Sequence, residues 1–542
     1  MWAIRPYNQI GHYTCPQRSV RIAASFERPC RCLDAVRSRS WNSPTGGIVS
    51  AAFVPRDTAA HLTGDGDDHP REECGIVGAY APGEDVARLA FFGLFALQHR
   101  GQESAGIATS DGRDIYRHTA MGLVNQAFHE TDLFRLTGHI SIGHTRYSTM
   151  GSSQRRNAQP LLASGPSGTL ALGHNGNVIN AGELRDELMT TMDSTFEGSS
   201  DSEVIAELYA KAPGTTWEER SAYCMRKLRG AYSLVMMTKH ELVGVRDPLG
   251  VRPLCIGSLN SGWVIASESC ALDHVGAKFE REIEPGETVV VNESGLHSSR
   301  WAGARERHAM CIFEHIYFAR PDSILAGRRA YGTRMEMGAK LAREYPVEAD
   351  LVIGIPDSAT AAAVGYHRES GIPFGEGLVK NRYVGRTFIQ PDQRIRDLGV
   401  QAKFNPLPEI IRGKRLIVVD DSIVRGTTTP HVLRLLRDAG AAELHVRVCA
   451  PPIVSTCHFG VDMGRTSELI AANKTIEEIR QFIGADSLGF LSLDGLLSAV
   501  DVDDSSFCRG CFTGRYPIPV QLEMDKMQLE APESVPKSVV VS

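Results

Sequence analysis

The sequence predicts an α+β segment of stacked sheets followed by an α/β segment built on a parallel sheet. Two observations carry this. From residue 74 to about 305, short apolar strands follow one another with few helices between them, as in sheets packed face to face. From about 306 to 518, strands and helices alternate, which calls for parallel strands with helices on the sheet's faces.

The elements follow in order. Ile76–Ala81 reads as a strand. Leu89–Gln98 reads as a helix, with Leu89, Phe92, Leu94 and Leu97 near helical spacing. Tyr232–Thr238, Leu242–Arg246, Val264–Ser267 and Thr288–Val291 read as further strands. In the second segment, Leu351–Ile355 is a strand, Ala359–Glu369 a helix, and Ile372–Phe374 and Leu416–Val419 strands. In the next helix Thr429 suits the N-cap, Pro430 the first turn and Gly440 the end. Val432, Leu435, Leu436 and Ala439 then form its buried face. Leu444–Ala450 is the following strand.

The flanks differ. Residues 1–73 lack sustained apolar periodicity and repeat arginine at Arg5, Arg18, Arg21, Arg28, Arg31, Arg37, Arg39 and Arg56, with few acids. That composition fits either an organelle transit leader or a start site placed too far upstream; no Met lies between Met1 and Met121. Gly64-Asp65-Gly66-Asp67-Asp68 makes a polar hinge. Residues 519–542 are polar and Pro-bearing, and are expected to be ordered only in part. The expected divisions are therefore 1–73, 74–305, 306–518 and 519–542.

At 542 residues the chain has room for about three to four domains. Hydrophobic content of 42% with 23% charged residues is ordinary for a globular protein. A net charge of −6 gives no broad basic surface, so nucleic acid is not expected as a partner. No apolar run of about 18 residues suggests a membrane span. Twelve scattered cysteines point to a reducing compartment, so a cytoplasmic location is expected, with an organelle as the alternative if the leader is a transit peptide.

Cys74 opens the first segment in Cys74-Gly75-Ile76. A thiolate attacks an amide far better than a thiol, so a base must stand beside it. If everything through Glu73 is removed, the α-amine of Cys74 can be that base, with a pKa of about 7.7–8.0. Further on come Gln98-His99-Arg100-Gly101-Gln102-Glu103-Ser104-Ala105-Gly106-Ile107, His144-Thr145-Arg146-Tyr147-Ser148-Thr149, His174-Asn175-Gly176-Asn177 and Ser200-Asp201-Ser202-Glu203. Each alone has a plain structural explanation: a surface Arg, an Asn-Gly turn, a helix-capping Asp. In this order they resemble the N-terminal-nucleophile glutamine amidotransferases. The resemblance implies that Cys74 is the nucleophile, Arg146 holds the α-carboxylate of glutamine and Asp201 its α-ammonium. Asn175 and the N–H of Gly176 would form the oxyanion hole. His99 and His144 are expected to be structural.

The second segment contains Val418-Val419-Asp420-Asp421-Ser422-Ile423-Val424-Arg425-Gly426-Thr427-Thr428. Two carboxylates at the end of an apolar strand, followed by a Gly/Thr loop and a helix, suit a phosphorylated ribose. The run is similar to the phosphoribosylpyrophosphate signature of type I phosphoribosyltransferases. Ile355-Pro356-Asp357-Ser358 resembles their pyrophosphate loop, and Lys380-Asn381-Arg382-Tyr383-Val384-Gly385-Arg386-Thr387-Phe388-Ile389 their lid. That implies phosphate contacts from Ser422, Arg425, Gly426, Thr427, Thr428, Arg382 and Lys403, and one Mg²⁺ at Ser358, Asp420 and Asp421.

The pairing resembles the amidophosphoribosyltransferase family, with similarity from Cys74 to about Tyr516. Gly244-Val245-Arg246-Asp247-Pro248-Leu249-Gly250-Val251-Arg252-Pro253-Leu254 and Ala266-Ser267-Glu268 match as well. The implied fold is an α+β N-terminal-nucleophile hydrolase domain of stacked antiparallel sheets, then an α/β type I phosphoribosyltransferase domain with a central parallel sheet. The implied activity makes 5-phosphoribosylamine, glutamate and pyrophosphate from phosphoribosylpyrophosphate, glutamine and water, the first committed step of purine synthesis. Purine nucleotides are the implied inhibitors, and a homotetramer or dimer the implied assembly.

Cys508-Arg509-Gly510-Cys511 is a CxxC pair, and a closed tetrahedral site needs two more ligands. By resemblance to the iron–sulfur branch of the family, Cys311, Cys457, Cys508 and Cys511 bind one [4Fe–4S] cluster. Zinc and a redox disulfide stay open from the residues alone. Cys224, Cys255, Cys270 and Cys449 sit among apolar residues as core thiols, and Cys15, Cys30 and Cys32 lie in the leader.

Two other functions share parts of this pattern. Glucosamine-6-phosphate synthase has the same glutaminase head but a sugar-isomerase tail in place of a phosphoribosyl loop. A non-enzymatic regulator that binds phosphoribosylpyrophosphate has no need of Cys74, Arg146, Asn175 and Asp201.

Overall fold

A computed structural model describes residues 74–147, 152–260, 262–303, 308–381, 403–463, 465–500, 506–520 and 529. The leader and most of the C-terminal tail lie outside the described residues.

The first segment builds two antiparallel sheets. One has seven strands in the order Lys278–Glu282, Cys255–Leu259, Gly262–Ala266, Gly75–Tyr80, Ile140–Arg146, Ser104–Ser110, Ile115–Met121. The other has six, in the order Gly295–Arg300, Glu287–Asn292, Leu242–Arg246, Gly230–Met237, Gly168–Val178, Leu161–Gly165. Their facing sides share one apolar layer: Ile76, Ile142 and Ile265 from the first meet Val235, Leu242 and Val289 from the second. The strand that begins just after Cys74 lies mid-sheet, paired with Ile140–Arg146 on one side and Gly262–Ala266 on the other. Its first residues are therefore held by two ladders and covered on both faces. That fixes the position of the residue ahead of it.

Helix Val86–Ala96 packs on the outer face of the first sheet. It starts three residues earlier than its spacing predicts, because Asp85 caps it by accepting from the Arg88 N–H at 3.1 Å. Its buried stripe is Val86, Ala87, Ala90, Gly93 and Leu94; Phe92, expected inside, is exposed. The apolar residues run nearly all round this helix, so spacing alone did not choose the face.

The second segment centres on a four-stranded parallel sheet, Leu351–Gly354, Arg415–Asp420, Glu443–Val448, Ser487–Phe490. Ile372–Phe374 is not a strand: Phe374 forms only an isolated bridge to Val352. Pro373 has no N–H to donate, so its carbonyl alone joins the edge, accepting from Val352 N–H at 2.8 Å. The helix after the third predicted strand runs Thr429–Asp438, so Thr429 is its first helical residue rather than its cap. Thr428 takes the cap position, without a side-chain bond to the helix's first N–H groups. The buried face is Val432, Leu433 and Leu436, while Leu435 and Ala439 are half-buried.

The two segments are joined through buried charge. Arg100 Nε donates to Glu268 at 2.7 Å, and its guanidinium also pairs with Glu314 at 2.5 Å. Arg252 lies 3.7 Å from Glu314 and donates to the Phe459 carbonyl. All four charged side chains are essentially inaccessible. Leu529 of the tail also returns to the first segment: it is buried among the Leu and Val side chains under helix Asp201–Lys211, and its carbonyl accepts from Arg185 at 3.2 Å.

Candidate functional site

Cys74 sits immediately before its central strand and is buried. It lines a pocket with Arg146, Tyr147, Gln159, His174, Gly176, Ser200, Asp201 and Ser202. Each wall comes from a different element. Arg146 ends the neighbouring strand Ile140–Arg146, His174 and Gly176 lie on the facing sheet, and Asp201 opens helix Asp201–Lys211. A carboxylate in a first helical turn is favoured by the helix dipole.

The thiol donates to the Tyr147 carbonyl at 3.4 Å. Burial pushes its pKa up to about 11, although the Arg146 charge pulls the other way. It is thus a weak nucleophile until a base takes its proton. Arg146 is held by the Ser152 carbonyl at 3.2 Å and lies 3.7 Å from Glu103. Asp201 accepts from the Val178 N–H at 2.9 Å.

Asn175 is not among the lining residues; it lies on the strand between His174 and Gly176, which are. It is 1% exposed, and neither amide atom has a hydrogen-bond partner. Ser200 Oγ is buried in the same unpartnered state. Such groups cost about 1–3 kcal/mol each when nothing meets them, and Ser200, which does line the pocket, has its hydroxyl unused there.

Hydrogen bonds among the lining residues brace the pocket. Gln159 accepts from His174 N–H at 2.8 Å and donates to Ser202 Oγ at 3.0 Å, and His174 Nδ1 meets the same Ser202 Oγ at 3.0 Å. Tyr147, His174, Ser200 and Ser202 stand inside the predicted motifs without an assigned part; Gln159 lies outside them, and no local pattern marks it. His99 and His144, expected to be structural, are not among the residues lining the Cys74 pocket. His99 pairs with Glu268 at 2.7 Å. His144 is fully buried, bonds to the His174 carbonyl at 3.0 Å, and is pushed down to about 3 by burial, so it is neutral.

In the second segment, Asp420 ends strand Arg415–Asp420 and Asp421 follows, both buried. Asp421 N–H donates to Asp420 Oδ1 at 2.9 Å, and Ser422 Oγ to Asp421 Oδ1 at 2.7 Å. Ile423 and Val424 anchor the loop in the core, and Gly426 turns it with φ +70°. Thr427 is exposed, and Thr428 leads into the helix. Ser358 is half-buried in the loop after Leu351–Gly354, the strand paired with Arg415–Asp420. Lys403 lies opposite Asn381, whose N–H donates to its carbonyl at 2.8 Å. Lys380 reaches Asp357 at 3.2 Å. Arg382 and the rest of the predicted lid lie outside the described residues. Two adjacent carboxylates and a hydroxyl are hard oxygen donors of the kind Mg²⁺ takes, with substrate phosphates and water completing its shell.

The four cysteines converge. Met310–Cys311 and Phe507–Cys508 pair as parallel strands with Cys311 opposite Cys508, and the Cys511 carbonyl accepts from Val454 and Ser455. Burial pushes the Cys508 thiol up to about 12, reinforced by Cys311 and Cys457; Cys511 is raised by burial, then by Cys508, Cys311 and Cys457. None of the four is in a disulfide. Among the described residues, no three His, Cys, Asp or Glu side chains are grouped to hold a metal ion. Four thiols close enough to raise one another are soft donors of the kind that zinc or an iron–sulfur group takes.

These features define a two-site protein: a cysteine amidase of the N-terminal-nucleophile type joined to a phosphoribosyltransferase. Family models agree, matching a glutamine amidotransferase domain at residues 144–274 and a phosphoribosyl transferase domain at 322–453. The chain is 50% identical over 465 residues to the amidophosphoribosyltransferase of Mycobacterium tuberculosis, covering 84% of this chain and 88% of that one. It is 48% identical over 463 residues to the chloroplastic amidophosphoribosyltransferase 1 of Arabidopsis thaliana, covering 85% and 81%. It also resembles the solved glutamine phosphoribosylpyrophosphate amidotransferase of B. subtilis complexed with ADP and GMP, with a TM-score of 0.78, 43% identity, and coverage of 84% of this chain and 100% of that one. The chain belongs to the amidophosphoribosyltransferase family and carries out glutamine-dependent amidotransfer to phosphoribosylpyrophosphate in purine biosynthesis.

Proposed function

We propose that the reaction is divided between the two sites, with Cys74 releasing ammonia from glutamine and the loop after Asp420 using it. The observation that carries this reading is the convergence of the Cys74 thiol, the Arg146 guanidinium and the Asp201 carboxylate in one pocket. Once the Glu73–Cys74 bond is removed, the freed α-amine takes the thiol proton. Sulfur then attacks the side-chain carbonyl of glutamine. Arg146 pairs with the α-carboxylate through two parallel hydrogen bonds, and Asp201 with the α-ammonium. The tetrahedral oxyanion takes hydrogen bonds from the Gly176 N–H and the Asn175 amide, whose lack of a partner supports the role. Collapse breaks the C–N bond, and the protonated nitrogen leaves as ammonia. Water then cleaves the γ-glutamyl thioester and releases glutamate.

In the second site, backbone N–H groups and hydroxyls from Ser422 to Thr428 hold the phosphate, and Asp420 and Asp421 face the ribose hydroxyls. Ammonia attacks the anomeric carbon as the C–O bond to pyrophosphate breaks. Arg382, Lys403 and Arg425 offset the charge of the phosphate groups. Ammonia crosses between the sites through an apolar passage from which water is excluded. Ser358, Asp420 and Asp421 would hold one Mg²⁺ per subunit, which when bound neutralises pyrophosphate charge. Cys311, Cys457, Cys508 and Cys511 would hold one [4Fe–4S] cluster per subunit, which when bound clamps the C-terminal region.

The ADP and GMP of the B. subtilis complex support purine nucleotides as feedback inhibitors here. We further propose a homotetramer or dimer working in the cytoplasm. The chloroplastic relative keeps an organelle as the alternative; no described helix is long and apolar enough to cross a membrane. Cys74→Ser tests the division of labour: glutamine-dependent turnover is lost and synthesis from added ammonia remains. Equal loss of both contradicts the two-site scheme. Iron and sulfide analysis tests the cluster, and N-terminal sequencing the processing.

A further inference from the structure

The short turn Thr466–Glu468 and the helix Ile470–Asn473 after it carry no motif, yet together they brace the phosphoribosyl loop at three points. Arg425 Nε donates to Glu468 Oε2 at 3.0 Å. Ile470 N–H donates to the Val424 carbonyl at 2.9 Å. The Ile470 side chain fills the space beside Gly426, where an added Cβ would lie 2.5 Å from Ile470 Cδ1. An ion pair from Glu468, with a backbone bond and a packing contact from Ile470, thus ties three consecutive loop residues to one short stretch. Arg425 is the more enclosed partner, 14% exposed against 48% for Glu468. The carboxylate reaches in from the surface to hold a mostly buried cation.

We propose that Glu468 is a positioning residue for the phosphoribosyl site. Its carboxylate fixes the Arg425 guanidinium, and through it holds the Val424–Thr428 loop in the shape that receives the phosphorylated ribose. This rests on assigning that loop to phosphoribosylpyrophosphate. A bare negative charge near a polyanionic substrate would only repel it, so removing the carboxylate would then improve binding. Positioning predicts the opposite sign, because a loose loop must be ordered at the substrate's expense.

The test uses full-length protein and ammonia-dependent synthesis, which bypasses the glutamine pocket. Glu468→Ala should raise KM for phosphoribosylpyrophosphate ~3–10-fold, a range kept small because half the pair is exposed. kcat should stay within about twofold and glutaminase activity should be unchanged. Glu468→Asp should recover most of the loss. On an Arg425→Ala background, Glu468→Ala should add nothing, since the two act as one unit. Glu468→Gln replaces the alanine variant if that one fails to fold, with the same expected sign. An unchanged or lowered KM overturns the proposal, as does a full effect that persists without Arg425. If Arg425→Ala raises KM and Glu468→Ala does not, only this inference falls. If neither does, the loop assignment falls as well.

Discussion

Consider a chain that carries one alanine ahead of Cys74, so that the nitrogen of residue 74 stays in a peptide bond. With the thiol pushed up from 9.0 to about 11 by burial, only about 3 in 10,000 molecules are ionised at pH 7.5, against about 3 in 100 without that shift. Burial therefore costs the nucleophile ~100-fold, or roughly 3 kcal/mol at about 1.36 kcal/mol per pKa unit. A positioned base recovers this and typically contributes about 10²–10⁴ in rate. The added alanine should cut glutaminase kcat/KM by ~10²–10⁴ and leave ammonia-dependent synthesis within about twofold. The pH profile carries the sign. The active form is the thiolate, so residual activity should climb ~tenfold per unit between pH 7 and 9, still below the thiol's range. The free-amine form should instead level off near the amine's pKa of about 8. Glutamate release and pyrophosphate release, measured in parallel, read the two sites. Retention of more than about a tenth of the glutaminase activity would refute the reasoning, since that residue's own amine would then be dispensable.

Three further outcomes follow from buried groups. Asn175→Ala should lower glutaminase kcat ~10²–10³-fold while leaving stability unchanged or up to ~1 kcal/mol higher, because both amide atoms lack partners; a clear fall in the melting temperature contradicts this. Burial pushes His144 down to about 3, so below about pH 6.5 the unfolded state takes up a proton that the folded state refuses. Stability should therefore fall by ~1.4 kcal/mol per pH unit on that limb, and His144→Gln should reduce the slope by about one proton in denaturant titrations. Glu314→Ala leaves Arg100 and Arg252 buried without their shared carboxylate. It should cost ~3–5 kcal/mol and lower both activities together, unlike Cys74→Ser.

Much of the fold was legible because local and long-range demands agree. Leu242–Arg246 is a strand with the expected bounds, and Arg415–Asp420 extends its prediction by one residue at each end. The errors fall where two local cues competed. Helix Val86–Ala96 is apolar nearly all round, so periodicity misplaced Phe92; Pro373 broke a strand that its apolar neighbours suggested. At the candidate site, Cys74, Arg146, Gly176 and Asp201 were named from motifs and the structure brings them into one pocket. Gln159 was invisible: an isolated glutamine has no signature, and its bonds to His174 and Ser202 exist only once the loop before Leu161–Gly165, the strand Gly168–Val178 and helix Asp201–Lys211 meet. Glu468 was invisible for the same reason, since it matters only through Arg425.

By itself, the sequence determined the two-part architecture and the order of its chemistry. Strand periodicity, the thiol at residue 74 and the paired carboxylates before a Gly/Thr loop are properties of contiguous residues. Only the tertiary structure decided how far burial raises that thiol, which polar groups stand without partners, and which acid holds Arg425. Those quantities depend on desolvation and on contacts between residues tens to hundreds of positions apart, and no contiguous stretch of the chain contains them.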